Sequence, residues 1–206
     1  MIWCQSNFGD LTGIKLKMDH FGWTVKPWSE WWRHPIFTPG GFWTYFSGLL
    51  TTFWQGEFLW HNQHLVLPGS GVVYTVLTLI LLAAVLPALF RPSPDFIPLQ
   101  RYALQLGLIC FIATFGFFAL LSIRYDFHDC PYPSRHYPYF TSGRLLLGML
   151  IPFLLLIACG LDRVLARLGN MTKWFTLAAM IFTMAVVEMV TDWPVFSDPY
   201  NWFHLP

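Results

Sequence analysis

The chain has 206 residues, of which 55% are hydrophobic and only 11% are charged, and its formal net charge is +1. This balance gives no reason to expect a nucleic acid or a strongly acidic partner. The hydrophobic fraction instead predicts a protein that lies in a lipid bilayer.

The first segment, residues 1 to 70, precedes the four apolar runs of the chain. Residues Met1 to Glu30 show neither the charged nor the apolar region of a secretory signal. Two explanations stay open. The sequence is the C-terminal part of a longer multipass protein, or its N-terminus is short enough to be translocated with the first helical hairpin.

Within this segment, residues 42–55 are predicted to form an amphipathic helix. Apolar residues recur there at helical spacing, and small polar residues form the opposite stripe: Phe42, Phe46, Leu49 and Phe53 against Thr44, Ser47, Thr51 and Gln55. Such a two-faced, aromatic helix favours a position in the plane of the lipid head groups. The alternative is a fifth membrane-spanning helix.

Four apolar runs follow. Gly71 to Phe90 and Tyr102 to Ile123 hold no Asp, Glu, Lys or Arg over 20 and 22 residues, enough to cross about 30 Å of hydrocarbon as helices. Leu145 to Leu161 and Trp174 to Thr191 are shorter candidates. The prediction is an all-α integral membrane protein with four spans in residues 71–191, an extracytoplasmic segment in 1–70 and a tail in 192–206.

The positive charges indicate which way the helices run. Five lie in the two short linkers and three in the longer loop: Arg91, Arg101, Arg163, Arg167 and Lys173 against Arg124, Arg135 and Arg144. The excess of positive charge places the short linkers in the cytoplasm. The long aromatic segments then lie together on the extracytoplasmic side.

The loop from Arg124 to Arg144 is the densest polar and aromatic segment of the chain, and its prolines exclude a regular helix. Arg144 opens the third span, where the amides of residues 141–144 lie near a helix N-terminus that favours an anion. A guanidinium there suits a lipid phosphate. In the alternative, Arg124, Arg135 and Arg144 reach towards head groups or pair with Asp126 and Asp129.

A second polar cluster contains Glu57, His61 and His64. Their spacing would place all three on one face of a helix, suitable for a metal ion or for proton transfer. The surrounding residues fit a loop as well, in which the three would only make hydrogen bonds in an outer cap. No histidine lies within a proposed span and no Cys/His cluster has ligand spacing, so we expect neither a metal nor a cofactor.

Glu188 lies near the far end of the fourth span, where an ionisable group is either functional or a carboxylate at the water boundary. Its expected partner is Arg124 or Arg144. Cys4 and Cys130 would be able to pair if both faced an oxidising compartment.

Two motifs carry a resemblance to a known family. These are Phe53-Trp-Gln-Gly-Glu-Phe-Leu-Trp-His61 and Tyr139-Phe-Thr-Ser-Gly-Arg-Leu-Leu146. With the spans between them, residues 36 to 190 resemble the C-terminal region of bacterial multipass membrane proteins related to GT-C-type glycosyltransferases. The resemblance implies a bacterial cytoplasmic (inner) membrane and sugar transfer from a polyprenyl-phosphate donor on the extracytoplasmic side.

The same resemblance implies that Arg144, with Arg135, Tyr139 and Arg124, contacts a lipid-linked phosphate. The family's general base is an Asp in an outer loop of the N-terminal half, and neither Asp10 nor Asp19 lies in a matching motif. The chain is therefore expected to be non-catalytic alone.

Two other functions stay open. The first is a structural or accessory subunit of a larger membrane complex, whose helices approach a protein partner closely at Gly107 and Gly116 or at Gly148 and Gly160. The second, a transporter fragment, would need a polar path between helices that the sequence does not show.

Overall fold

The structure is a computed structural model that describes residues 6, 14–57, 59–61, 63–65, 67–90, 96–130, 132–166 and 168–201. Its helices are α1 (Ile14–Phe21), α2 (Trp28–Trp31), α3 (Pro39–Gln55), α4 (Ser70–Phe90), α5 (Pro98–Arg124), α6 (Leu150–Leu165) and α7 (Asn170–Ser197), with 3₁₀ helices at Pro35–Phe37 and Gly143–Met149. Four short strands complete it: β1 (Thr24–Val25), β2 (Leu59–Trp60), β3 (Gln63–His64) and β4 (Tyr125–Asp126).

Four helices of the described part of the chain are long and apolar enough to cross a membrane: α4, α5, α7 and the helix Gly143–Leu165, which joins the second 3₁₀ helix to α6. This confirms that the chain is mostly helical, with four helices of the length and composition predicted for membrane spans. The last span is longer than predicted, because α7 continues past Thr191 to Ser197. Asp198 and Asn201 end it: the Asp198 carboxylate accepts from the Tyr200 amide (2.8 Å), and the Asn201 side chain donates to the Val195 carbonyl (2.7 Å).

The chain divides into two compact units, which are described separately. The first unit comprises Met1–Phe46 and Phe115–Thr141, and the second comprises Ser47–Thr114 and Ser142–Pro206.

The first unit is built on the C-terminal end of α5. Strand β4 follows α5 directly and pairs antiparallel with β1, and the Lys26 amide extends this pairing by donating to the Arg124 carbonyl (2.9 Å). Beside the strands, a buried cluster of Trp23, Tyr125, Phe127 and Cys130 forms the core of the unit. The aromatic residues predicted as an outer segment thus pack around the end of a spanning helix.

The second unit has the polarity expected of a helix bundle in lipid. Ser70, Thr75 and Thr78 lie on the buried face of α4, whereas Val73 and Ile80 are more than half exposed. A water-soluble protein places its side chains the other way round. Hydrocarbon solvates the outward apolar face, and the hydroxyl groups of Ser70 and Thr78 find hydrogen-bond partners inside the protein.

The C-terminal half of α3 belongs to this second unit and packs on α4. The Gln55 amide donates to Ser70 Oγ (2.6 Å), and Trp54 Nε1 donates to Thr78 Oγ1 (3.0 Å). The predicted polar stripe therefore does not face water throughout, because Gln55 is buried. The helix has 17 residues, beginning at Pro39 rather than Phe42, and its position in the head-group plane stays a prediction.

One of the four glycines predicted at close helix contacts lies in a close contact. A Cβ on Gly160 would overlap the Leu81 backbone, where α6 crosses α4. At Gly107 a Cβ would make ordinary contact with Pro152, 3.4 Å away, and it would meet nothing within 4 Å at Gly116 or Gly148. Gly160 thus serves packing within the chain itself.

We expect the substitution Gly160→Ala to lower the free energy of unfolding by about 1–3 kcal/mol, because the added methyl group must push α6 away from α4. Thermal unfolding of the purified chain in detergent micelles measures the effect. The matched control Gly148→Ala fills open space and should be neutral or slightly stabilising. Equal effects of the two substitutions would contradict the close α4–α6 contact at Gly160.

Candidate functional site

The predicted phosphate-binding loop, residues 124–144, is divided between the two units. Arg124, Arg135 and Tyr139 belong to the first unit, and Arg144 belongs to the second. The environment of each side chain within its own unit determines what it can bind.

In the first unit Arg135 belongs to a small hydrogen-bonded network. Its guanidinium lies 2.9 Å from His128 Nδ1 and 3.6 Å from the Asp126 carboxylate, and His128 Nε2 lies 2.8 Å from Thr24 Oγ1. Because arginine only donates, His128 Nδ1 accepts and Nε2 carries the proton that it donates to Thr24. The ring is therefore unable to take a proton from Thr24, and this Thr–His pair is not an activated nucleophile.

Asp126 is the acidic centre of this network. Burial raises the pKa of its carboxyl group, but the hydrogen bond from the His128 amide and the charges of Arg135 and Lys26 outweigh burial and hold the pKa below its ordinary value. Asp126 is consequently a carboxylate at neutral pH, and it partly neutralises the charge of Arg135. The alternative predicted for Arg135, pairing with Asp126, is present.

Arg124 and Tyr139 have other neighbours. The Arg124 guanidinium lies 5.7 Å from the centre of the Tyr125 ring, a cation–π arrangement. Tyr139 is buried, and its ring makes edge contacts with His34 (5.8 Å) and Tyr137 (5.1 Å). The side chain of Tyr139 therefore packs within the unit.

Arg144, in the second unit, begins the third span. Its Nη2 atom lies 3.3 Å from Glu57 Oε2, its Nε donates to Ser142 Oγ (3.3 Å), and 77% of its side chain is exposed. The first helical residue, Gly143, is buried against the Thr52 and Phe53 backbone. The α3 backbone therefore lies against this helix at Gly143, whereas the Arg144 side chain is exposed to a ligand.

The second predicted polar cluster is not helical. Gly56 and His61 have positive φ angles, and β2 pairs with β3 in a short hairpin, so the helical arrangement of Glu57, His61 and His64 was wrong and the loop alternative holds. Glu57 contacts Arg144, and His61 Nε2 lies 2.8 Å from Asp198 Oδ2. In the described part of the chain, no three His, Cys, Asp or Glu side chains are close enough to hold a metal ion.

Glu188 lies deeper in its helix than predicted. Because α7 continues to Ser197, Glu188 is nine residues from the helix end rather than close to it. The expected pairing with Arg144 is absent, because Arg144 contacts Glu57 instead. Cys4 lies outside the described residues, and Cys130 is buried in the first unit.

The sequence did not point to one further group of charged residues. An open cavity of about 360 Å³ in the first unit is lined by Lys26, Glu30, Arg33, His34 and Pro35. The three charges are interspersed with Trp28, Trp31 and Trp32, a mixture typical of the membrane–water boundary. That mixture was the available signal, but the sequence does not tell which of these residues face one another.

His34 forms the wall of this cavity. It is buried; Nδ1 accepts from the Ile36 amide (3.1 Å) and Nε2 donates to the Pro138 carbonyl (3.1 Å). Burial, together with the charge of Lys26, lowers the pKa of His34 to about 4, although the bond to Pro138 opposes the shift. His34 is therefore neutral at physiological pH and links the segment before α3 to the predicted loop.

Comparisons with known proteins add no relatives. No protein-family model, no curated protein and no solved structure matches this chain.

We expect the first unit to lose stability as the pH falls from about 6.5 to about 4. In this pH range His34 is protonated in the unfolded chain but stays neutral in the folded chain. Lowering the pH therefore reduces the free energy of unfolding by up to about 3 kcal/mol. The contribution of Asp126 to stability is retained in this pH range. A carboxylate with a lowered pKa loses that contribution only as the pH falls below its pKa in the unfolded chain, 3.8. Unfolding in detergent micelles at pH 7 and 4.5, compared between the wild type and His34→Gln, isolates the effect. The same pH dependence in both proteins would contradict the role of His34.

Proposed function

We propose that this chain is a membrane module that contacts the phosphate of a polyprenyl-phosphate-linked substrate through Arg144. In this proposal the long loops are extracytoplasmic, the membrane is the bacterial inner membrane, and the module resembles the C-terminal part of a GT-C-type glycosyltransferase. The observation that carries the proposal is an exposed, oriented guanidinium at the head of a membrane-spanning helix.

The chemistry of Arg144 suits a lipid phosphate. Its contacts to Glu57 and Ser142 fix the direction of the side chain, and the rest of its planar set of donors faces outward. Planar N–H donors bind two phosphate oxygens at once, and such charge-assisted hydrogen bonds are the strong ones. The head of a spanning helix lies at the depth where the phosphates of lipids lie.

The neighbouring carboxylate supports a module that is not catalytic alone. Glu57 Oε2 is engaged by Arg144, while Oε1 is buried and has no hydrogen-bond partner among the described residues. A general base must reach the proton that it removes, within hydrogen-bonding distance. Glu57 is therefore a positioning residue for Arg144, and a partner or a further segment supplies the base.

We expect Arg144→Ala to weaken binding of a short-chain polyprenyl phosphate by about ten-fold or more, the effect of losing one charge-assisted contact. Binding to the purified chain in detergent is measured by titration calorimetry. Arg144→Lys keeps the charge but lacks the planar pair of N–H donors. It should bind the lipid more tightly than Arg144→Ala and less tightly than the wild type.

The matched control is Arg101→Ala, which removes an arginine at the start of α5, beside the Tyr102 ring. This variant should bind the lipid like the wild type. Unchanged binding by Arg144→Ala, or equal losses in the two variants, would refute Arg144 as the phosphate contact.

A second candidate function, an accessory subunit of a membrane complex, has its own supporting observation. Only 6% of the most apolar stretch of α7 is buried, against 22–39% in the other three spans. Phe175, Ile181 and Phe182 are each about 70% exposed. A helix with so few intramolecular contacts is free to pack on a partner in the membrane.

For this second function we expect a photo-crosslinking residue at Phe182 to capture one partner in stoichiometric yield when the chain is expressed in its native membrane. The control position is Phe117 on α5, which is also exposed but belongs to a more buried helix. Mass spectrometry of the adducts gives the result. Lipid adducts alone at Phe182 would count against a protein partner and would leave α7 facing the bilayer.

A further inference from the structure

The charged cavity of the first unit lies at the end of a membrane span. The backbone amide of Lys26, which lines the cavity, donates to the carbonyl of Arg124, the last residue of α5. A group attached to the end of a spanning helix lies where hydrocarbon gives way to lipid head groups. The cavity is therefore at the level of the lipid phosphates.

The segment around the cavity carries large exposed aromatic side chains. Trp28, Trp32 and Phe37 are 65%, 68% and 53% exposed. Tryptophan concentrates at the membrane–water boundary, because its ring is apolar and its N–H group donates a hydrogen bond. These side chains place the segment against lipid, next to the three charges.

Burial lowers the pKa of the Lys26 ammonium, and the nearby charges of Asp126 and Glu30 oppose that shift. Lys26, which is half-buried, and the exposed Glu30 and Arg33 make no ion pair with any described residue. His34 adds no charge, because both of its ring nitrogens are occupied in the neutral form. The cavity therefore presents two cations and one carboxylate, none of which forms a close ion pair with a described residue.

We propose that this cavity binds the head group of a zwitterionic phospholipid that carries a primary ammonium. The phosphate lies between Lys26 and Arg33, and the ammonium lies at Glu30. Two cations match a phosphodiester, for which arginine offers paired donors, and the carboxylate matches an ammonium with N–H donors. An uncharged glycerol head group would leave Glu30 without a partner, and a quaternary ammonium has no N–H to donate. The cavity, at about 360 Å³, falls in the range of small-ligand sites, roughly 300–1,000 Å³.

The test uses the full chain, purified in detergent and titrated with phosphatidylethanolamine, phosphatidylcholine or phosphatidylglycerol of identical acyl chains. Native mass spectrometry counts the bound lipids. Phosphatidylethanolamine should bind the wild type about ten-fold more tightly than the other two lipids, the gain expected from one additional charge-assisted contact.

Two substitutions separate the phosphate from the ammonium. Arg33→Gln should weaken the binding of phosphatidylethanolamine and of phosphatidylglycerol alike, by about ten-fold. Glu30→Gln should weaken the binding of phosphatidylethanolamine, because it removes the attraction for the ammonium. It should strengthen the binding of phosphatidylglycerol, because it removes the repulsion between the carboxylate and the anionic lipid. A merely structural role of Glu30 would shift both lipids in the same direction. Both side chains are exposed, so the variants should fold, and thermal unfolding verifies this.

The matched control is Arg101→Gln, which makes the same change of charge outside the cavity and should leave all three affinities unchanged. A wild type that does not prefer phosphatidylethanolamine, or a Glu30→Gln variant with an unchanged lipid preference, would overturn the proposal. Free phosphoethanolamine that binds as tightly as the lipid would also overturn it, since the site would then serve a soluble ligand. Arg144 is not among the residues that line the cavity, so the Glu30 and Arg33 variants test this proposal without changing the proposed Arg144 contact.

Discussion

The structure depends on one constraint: polar groups within hydrocarbon must find partners inside the protein, since no water is available there. Helix α4 shows the result. Its backbone amides bond along the helix, Thr78 accepts from Trp54, and Ser70 accepts from Gln55, while valines and leucines cover the outer side. The exposed apolar surface, which would be unfavourable in water, is thus stable in contact with lipid. The same constraint explains why charged side chains with potential for binding lie at helix ends.

The two units use helix ends in different ways. In the first unit the end of α5 continues into β4, so the loop after it begins with a fixed direction, and Lys26 is bonded to the last residue of the helix. In the second unit Gly143 begins its helix against the α3 backbone, and the charged side chain of Arg144 is exposed. The sequence had suggested that the backbone amides of residues 141–144 attract an anion. The structure shows the α3 backbone against Gly143, so the proposed anion contact rests on the Arg144 side chain.

The spans were predictable because they depend on a local property, the run of uncharged residues. The partners of the polar residues were not, because they depend on how distant segments meet. Glu57 contacts Arg144 and His61 contacts Asp198, and neither pair leaves a pattern in the sequence. The end of α7 was also misjudged. Asp192 marks the end of the apolar run, but a charged residue does not end a helix, and α7 continues to Ser197. The cavity at Lys26 and Arg33 was missed because its residues are ordinary for an interfacial segment, and only the fold shows that they face one cavity.

Positioning and catalysis make opposite demands on a carboxylate. A positioning carboxylate is most effective when it is paired and shielded, whereas a general base must keep an oxygen accessible to substrate. Glu57 meets the first demand, with one oxygen on Arg144 and the other buried. Asp126 is likewise committed, to the His128 amide and to Arg135. These two carboxylates near the candidate arginines therefore hold cations in place. This division is consistent with the proposed phosphate-binding module, in which the chemical step belongs to another polypeptide or segment.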